Sequence, residues 1–102
     1  MIKGKKLEIL SKETILSKIT EYDIFKYYMM GSNWKLNSVT LSPFRKESNP
    51  SFLIGNKYGE LYFIDFADDS YRGDCFDFVE KMYNCSFIEA LNIIDRDFGL
   101  GI

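Results

Sequence analysis

Apolar positions along this chain recur at helical spacing near both ends and alternate at strand spacing in the middle. Ser11, with Glu13 and Thr14 behind it, opens a short helical segment that runs through Lys18. Thr20 and Asp23 form the capping pattern Thr-x-x-Asp and predict a second helix ending near Gly31. Ile15, Ile19, Ile24, Tyr27 and Tyr28 supply the apolar side of these segments. Residues 34–41 are short of helix signals and rich in β-formers, so a strand is expected there, punctuated by Pro43 and by Ser48-Asn49-Pro50. Residues 51–54 and 61–66 are expected to pair as a hairpin around a turn at Gly55-Asn56-Lys57-Tyr58-Gly59. In the second arm Leu61 and Phe63 share one face, and Tyr62, Ile64 and Phe66 the other, so both faces need cover, from a core on one side and from a helix or ligand on the other. The last third is helical again. Asp74 is a good N-cap with Asp77 three residues on, and Cys75, Phe78, Val79 and Met82 follow at helical spacing. Ser86 and Glu89 make another capping box, Phe87, Ala90, Leu91, Ile94 and Phe98 mark one stripe, and Gly99 ends it. The order helix, helix, β-meander, helix, helix is an α+β fold: a small antiparallel β-sheet flanked by N-terminal and C-terminal helices. No repeat, linker or low-complexity tract breaks residues 1–102, which read as a single domain.

Composition narrows the chemistry. The 102 residues contain no His and two Cys, Cys75 and Cys85. Imidazole catalysis is excluded, and the thiols are too few for a disulfide framework or a four-thiolate zinc site. Cys75 lies on the apolar helix stripe and reads as a buried, inert thiol. Asp65, Asp68, Asp69, Asp74 and Asp77 are ligands of the kind hard cations take, but their spacing misses the calcium-loop pattern and Asp74 is better used as a cap. No nucleophile, base or phosphate loop accompanies them, so no catalytic residue is assigned. No apolar run approaches the roughly 20 residues that span a bilayer. The basic start, Met1 to Lys6, lacks the apolar stretch and cleavage site of a secretory signal, so a cytoplasmic protein is expected. The net charge of −2 is unevenly spread: residues 1–58 hold ten Lys/Arg against five Asp/Glu, residues 59–102 three against ten. One basic and one acidic face would follow; ordinary solvated helix surface is the competing reading.

Three segments stand out: Ser42-Pro43-Phe44-Arg45-Lys46-Glu47-Ser48-Asn49-Pro50-Ser51-Phe52, Gly73-Asp74-Cys75-Phe76-Asp77-Phe78-Val79 and Ser86-Phe87-Ile88-Glu89-Ala90-Leu91. In order and spacing they resemble the N-terminal zinc-binding (CHC2-type) domain of bacterial and phage DNA primases. That family reads Cys-Pro-Phe-His, then Pro-Ser-Phe and a strand, then a Cys-x-x-Cys knuckle, Gly-Asp, Phe-Val and Phe-x-Glu-Ala-Leu. Here Ser42 stands at the first Cys, Arg45 at the His, and Asp65 and Asp68 at the knuckle cysteines. A hydroxyl, a guanidinium and two carboxylates do not make a structural zinc site, and a permanently cationic Arg repels the metal. The resemblance therefore implies a zinc-ribbon-like fold in a zinc-less, phage-like version, with no cofactor. If that fold is kept, Ser42 and Arg45 face residues 65–68, where a salt bridge, or hydrogen bonds to backbone carbonyls, would stand in for the ion.

In that family the domain precedes a catalytic domain that joins ribonucleotides into a primer, and its sheet contacts the single-stranded template. The resemblance thus implies a nucleic-acid-binding module of a DNA primase or primase-like replication protein, which is no enzyme on its own. The chain ends at Gly99-Leu100-Gly101-Ile102, just after the last expected helix, so the catalytic part is expected to be absent. Expected partners are single-stranded DNA and, beyond it, a replicative helicase or a primase catalytic domain, with no membrane and no small-molecule substrate. Arg45 and Lys46, with Lys57 and Lys35, are candidate phosphate contacts, and Tyr62, Tyr58 and Trp34 candidate stacking platforms. The plainer reading makes Trp34 and Tyr62 core and the lysines merely solvated. The alternative function is a protein-docking module that keeps the fold to bind a replication or host protein. Net acidity favours it, because nonspecific DNA affinity comes chiefly from phosphate neutralisation.

Overall fold

Side-chain caps set the helix boundaries. The computed structural model describes residues 8–102, and the basic start Met1 to Lys6 lies outside them. Four helices and three strands follow in the order α1 (Lys12–Leu16), α2 (Glu21–Tyr28), β1 (Phe52–Lys57), β2 (Glu60–Asp65), β3 (Arg72–Gly73), α3 (Cys75–Tyr83), α4 (Phe87–Phe98). Every helix opens on a reciprocal capping box: Ser11 with Thr14, Thr20 with Asp23, Asp74 with Asp77, Ser86 with Glu89. Each box satisfies N–H groups that a first turn leaves without intrahelical partners. Asn84 and Gly99, both left-handed, stop α3 and α4.

The sheet is an antiparallel meander in the order β1-β2-β3, and its details depart from the sequence pattern in three places. The hairpin turn is tighter than expected. β1 runs on through Lys57, and Tyr58 and Gly59, at φ 53° and 82°, close a two-residue loop of the kind that matches strand twist. Gly55 is therefore no turn residue; it sits opposite Tyr62. Residues 34–41 do not form a strand. Asn37 is left-handed, the Ser38 N–H closes a turn onto the Lys35 carbonyl at 3.1 Å, and a single bridge, Thr40 to Phe52, remains. Local turn chemistry of Asn and Ser outweighs β-propensity there. The segment still blunts the outer edge of β1, with the Asn37 N–H on the Ile54 carbonyl at 2.8 Å. The third departure is β3, two residues long and too short to announce itself by alternation.

One face of the sheet carries the core. Phe52, Ile54, Leu61 and Phe63 meet Ile24 and Phe25 of α2, Phe76, Phe78 and Val79 of α3, Ala90, Leu91 and Ile94 of α4, and Ile15 of α1. Phe44, from the loop before β1, enters this cluster with ring centroids 5.8 Å from Phe52, 5.5 Å from Phe78 and 4.8 Å from Tyr71. Cys75 is buried with it, and burial pushes its thiol up, which keeps it inert. Phe87, expected in the α4 stripe, is instead exposed in the first turn with the Lys12 ammonium 5.6 Å from its ring centre. Opposite the core, Leu53, Tyr62 and Ile64 are only half-buried and lie outside the core cluster. The core supplies the cover expected on one face; on the other these side chains are left half-open.

Candidate nucleic-acid interface

Two regions gather the residues singled out by the sequence. The first lies where the loop after Thr40 meets the end of β2. Alternation along β2 turns Leu61, Phe63 and Asp65 to the same side, so Asp65 ends an apolar row and is fully buried. Its carboxylate is well served. The Ser42 hydroxyl donates to Oδ2 at 2.9 Å, the Ala67 N–H to Oδ1 at 3.0 Å, and Arg45 Nη1 lies 2.9 Å from Oδ2 and 3.0 Å from Oδ1. Burial pushes the Asp65 carboxyl up, but the Arg45 guanidinium and these donors outweigh it and hold it below the usual carboxylate range. Glu47 extends the network: it accepts the Ser42 N–H at 2.7 Å and the Ser51 hydroxyl at 2.7 Å, which lower its carboxyl in turn.

Of the four positions that the resemblance aligns with zinc ligands, Ser42, Arg45 and Asp65 converge directly. The Asp68 carboxylate turns to the Ser70 N–H and hydroxyl, at 3.0 and 2.8 Å, although its charge also acts on Arg45. Glu47 was missed; its signal was its place between Arg45 and Ser51 in the polar stretch before Pro50.

The second region is the open face of the sheet. Tyr62 lies over Gly55, where a Cβ would sit 2.5 Å from the phenol Cζ and Oη, so the missing side chain is what lets the ring rest on the strand. Leu53 and Ile64 pair beside it, Arg72 pairs with Ile64, and Lys57 and Tyr58 share the groove that Tyr62 lines. Arg72, Lys57 and Tyr58 are exposed. The sequence carries little signal for Gly55 or Arg72: Gly55 lies in a segment whose composition predicts a turn, and Arg72 in a strand too short to show alternation. A two-residue turn at Tyr58-Gly59 would have placed Gly55 opposite Tyr62.

The remaining candidates sit apart from this face. Trp34 is half-buried against Tyr22, ring centroids 5.5 Å apart, in a groove shared with Lys26 and Met30. Lys35 and Lys46 are exposed on loops, Lys46 beside Arg45 and Glu47. The charge asymmetry between the two halves of the chain does not survive intact as two faces. Lys12 pairs with Asp74 at 2.8 Å and Arg45 with Asp65, each bond joining the basic half to the acidic one.

A three-stranded meander, helices packed on one face, and a polar loop locked against the end of β2 define a small zinc-ribbon-like α+β domain. Over residues 5–102 the chain matches the CHC2 zinc finger family, and it belongs to that family, the N-terminal zinc-binding domain of DnaG-type primases. The family is a primase-associated nucleic-acid-binding domain, an accessory module and not the catalytic part. No curated protein and no solved structure matches the chain. Among the described residues no helix is long and apolar enough to cross a membrane.

The family implies a zinc ion, and the residues present do not fit one. The Ser42 hydroxyl already accepts the Phe44 N–H at 3.0 Å and spends its proton on Asp65. A guanidinium nitrogen occupies the position beside Asp65 that a cation would take. Zinc needs thiolates or imidazoles converging on one point, and among the described residues no three His, Cys, Asp or Glu side chains are grouped to hold a metal.

Proposed function

We propose that this chain is the template-contacting module of a DNA primase or primase-like replication protein, and that it meets single-stranded DNA without zinc. The observation that carries the reading is the open sheet face: Tyr62 laid on Gly55, with Lys57 and Arg72 exposed around it. An aromatic platform with cations nearby is the general recipe for single strands, because every base has a π-face and every linkage a charge. Lys46, Lys35 and Trp34 lie apart from this face and would be reached only by a strand that runs on past it. Arg45 is engaged by Asp65 and contributes less to phosphate binding than its exposed neighbour Lys46. No residue is assigned a catalytic role; a primase catalytic domain and a replicative helicase are the proposed protein partners.

The test is a titration of labelled single-stranded DNA at two salt concentrations. The expected result is weak binding that falls steeply with salt, since few cations are available to neutralise phosphate. A second reading, protein docking, is favoured by the exposed Met30 and Tyr27 beside Phe98. DNA binding that is absent at low salt would leave docking as the function. Primer synthesis by this chain with template, nucleotides and Mg²⁺ should be undetectable.

A further inference from the structure

We propose that the Ser42–Asp65–Arg45 cluster takes the place of the family's metal ion as the tie between the loop before β1 and the turn after β2. The inference rests on the reading that the chain holds no zinc. Three observations carry it. First, the two loops have the same local build. The Phe44 N–H donates back to Ser42 Oγ at 3.0 Å and the Ala67 N–H back to Asp65 Oδ1 at 3.0 Å. Each leading side-chain oxygen thus takes an N–H from two residues on, the kind of supporting bond that orients a ligand atom. Second, the two leading side chains touch: the Ser42 hydroxyl donates at 2.9 Å to Asp65 Oδ2, the carboxylate oxygen that Ala67 leaves open. Third, a positive group is brought to Asp65 by the side chain at the fourth residue of the Ser-Pro-Phe-Arg loop, with Nη1 2.9 Å from the carboxylate. A metal ties two loops through one cation; here the cation is covalently part of one loop and pairs with the carboxylate of the other.

The tie is backed on both sides. Behind Asp65, the turn is closed by the Asp68 N–H on the Asp65 carbonyl at 3.2 Å. Behind Ser42, Glu47 holds the Ser42 N–H and the Ser51 hydroxyl. Such a tie needs no metal supply and is indifferent to chelators. It also takes Arg45 out of the DNA-contacting set, so the role of that residue is structural.

The test begins with metal content and melting of the full chain. Zinc should be far below one per chain, with a melting temperature that a chelator does not move; stoichiometric zinc would overturn the proposal. A double-mutant cycle follows with Arg45→Met, Asp65→Asn and the pair together. Each single change should lower Tm by roughly 5 °C or more, and the double change by clearly less than the sum, since residues in one network do not add. Additive losses would sink the idea, and Lys46→Met is the neutral control. Rebuilding the metal site is the converse experiment, with Ser42→Cys, Arg45→His, Asp65→Cys and Asp68→Cys combined. Co²⁺ should give the absorption of a tetrahedral thiolate site and raise Tm. A variant that folds without taking Co²⁺, or that Co²⁺ cannot rescue, would show that these positions are not the metal's. Folded Arg45→Met should keep its DNA affinity within about twofold, or roughly 0.4 kcal/mol, and a loss comparable to that of Tyr62→Ala would return Arg45 to the contact surface. Absence of DNA binding by the unaltered chain would overturn the functional reading and leave the tie standing.

Discussion

Two positions along β2 are dealt with in opposite ways. At Asp65 every polar group has found a partner inside the protein: hydroxyl, backbone N–H and guanidinium converge on one buried carboxylate. At Tyr62, three residues earlier and on the other face, an aromatic ring lies half-open in a groove with the exposed Lys57, Tyr58 and Glu60 and with Asp74. A buried charge is costly unless it is paired and hydrogen-bonded, so the first region is closed and structural. An aromatic surface left outside the core contributes little to folding and remains free to bind. The difference teaches that candidate binding residues are separated by what already occupies them, and not by charge or ring type. Arg45 and Lys57 are both cations of the extended middle, yet one is held and the other is exposed.

The largest effect expected from breaking this contrast is on the closed side. Phe44→Ala removes the ring that anchors the Ser42–Arg45 loop among Phe52, Phe63, Tyr71 and Phe78. It should cost about 3 kcal/mol in denaturant unfolding, while any protein still folded at low temperature keeps its DNA affinity. The mirror result is expected for Tyr62→Ala. There, single-strand affinity should fall by about 1–3 kcal/mol, roughly 5- to 150-fold, with a much smaller change in stability. If the two variants shift the same quantity, the division between a structural and a binding region fails.

Acid should bear on the closed region through its paired carboxylates. The Asp65 and Glu47 carboxyls are both held below the usual carboxylate range, with Arg45 facing both and the charge of Asp65 opposing that of Glu47. A depressed folded pKa contributes stability that is complete above the unfolded value and is lost as pH falls through the folded one. Melting temperature should therefore be flat through neutrality and fall once pH drops below the ordinary carboxylate range. In Asp65→Asn that fall should be shallower, and an unchanged acid limb would mean that other carboxylates dominate.

Smaller effects belong to the open face. Gly55→Ala puts a methyl where the Tyr62 ring lies, so the ring must tilt off the strand. A few-fold weaker binding is expected, below the full loss of Tyr62→Ala, and it is measured in the same anisotropy titration. Lys57→Gln and Arg72→Gln should each lower the slope of log affinity against log salt by about 0.7, the value per phosphate contact on a single strand. A slope that moves for Lys46→Gln and for neither of these would relocate the interface to the loop before β1.

What the sequence determined by itself is whatever rests on short-range chemistry. The capping boxes at Thr20, Asp74 and Ser86 and the stop at Gly99 are bonds between residues a few positions apart, and they appear where their residue types require. The α+β class and the family followed from the order of such segments and from motifs at fixed spacing. Arg45 meeting Asp65 was expected through the resemblance, although its distance and burial were not. The tertiary structure alone decided the rest. Residues 34–41 have β-formers, but a left-handed Asn37 and a local turn consumed the hydrogen bonds that a strand would have needed. The two-residue turn at Tyr58-Gly59 set the register, and register is what put Gly55 beneath Tyr62. β3 exists because the Tyr71 carbonyl and Arg72 reach β2, a partnership with no periodicity of its own. Which cations are exposed and which are held depends on carboxylates tens of residues away, Asp65 for Arg45 and Asp74 for Lys12. Pairings across such distances are set when the sheet and helices pack, and no local pattern carries them.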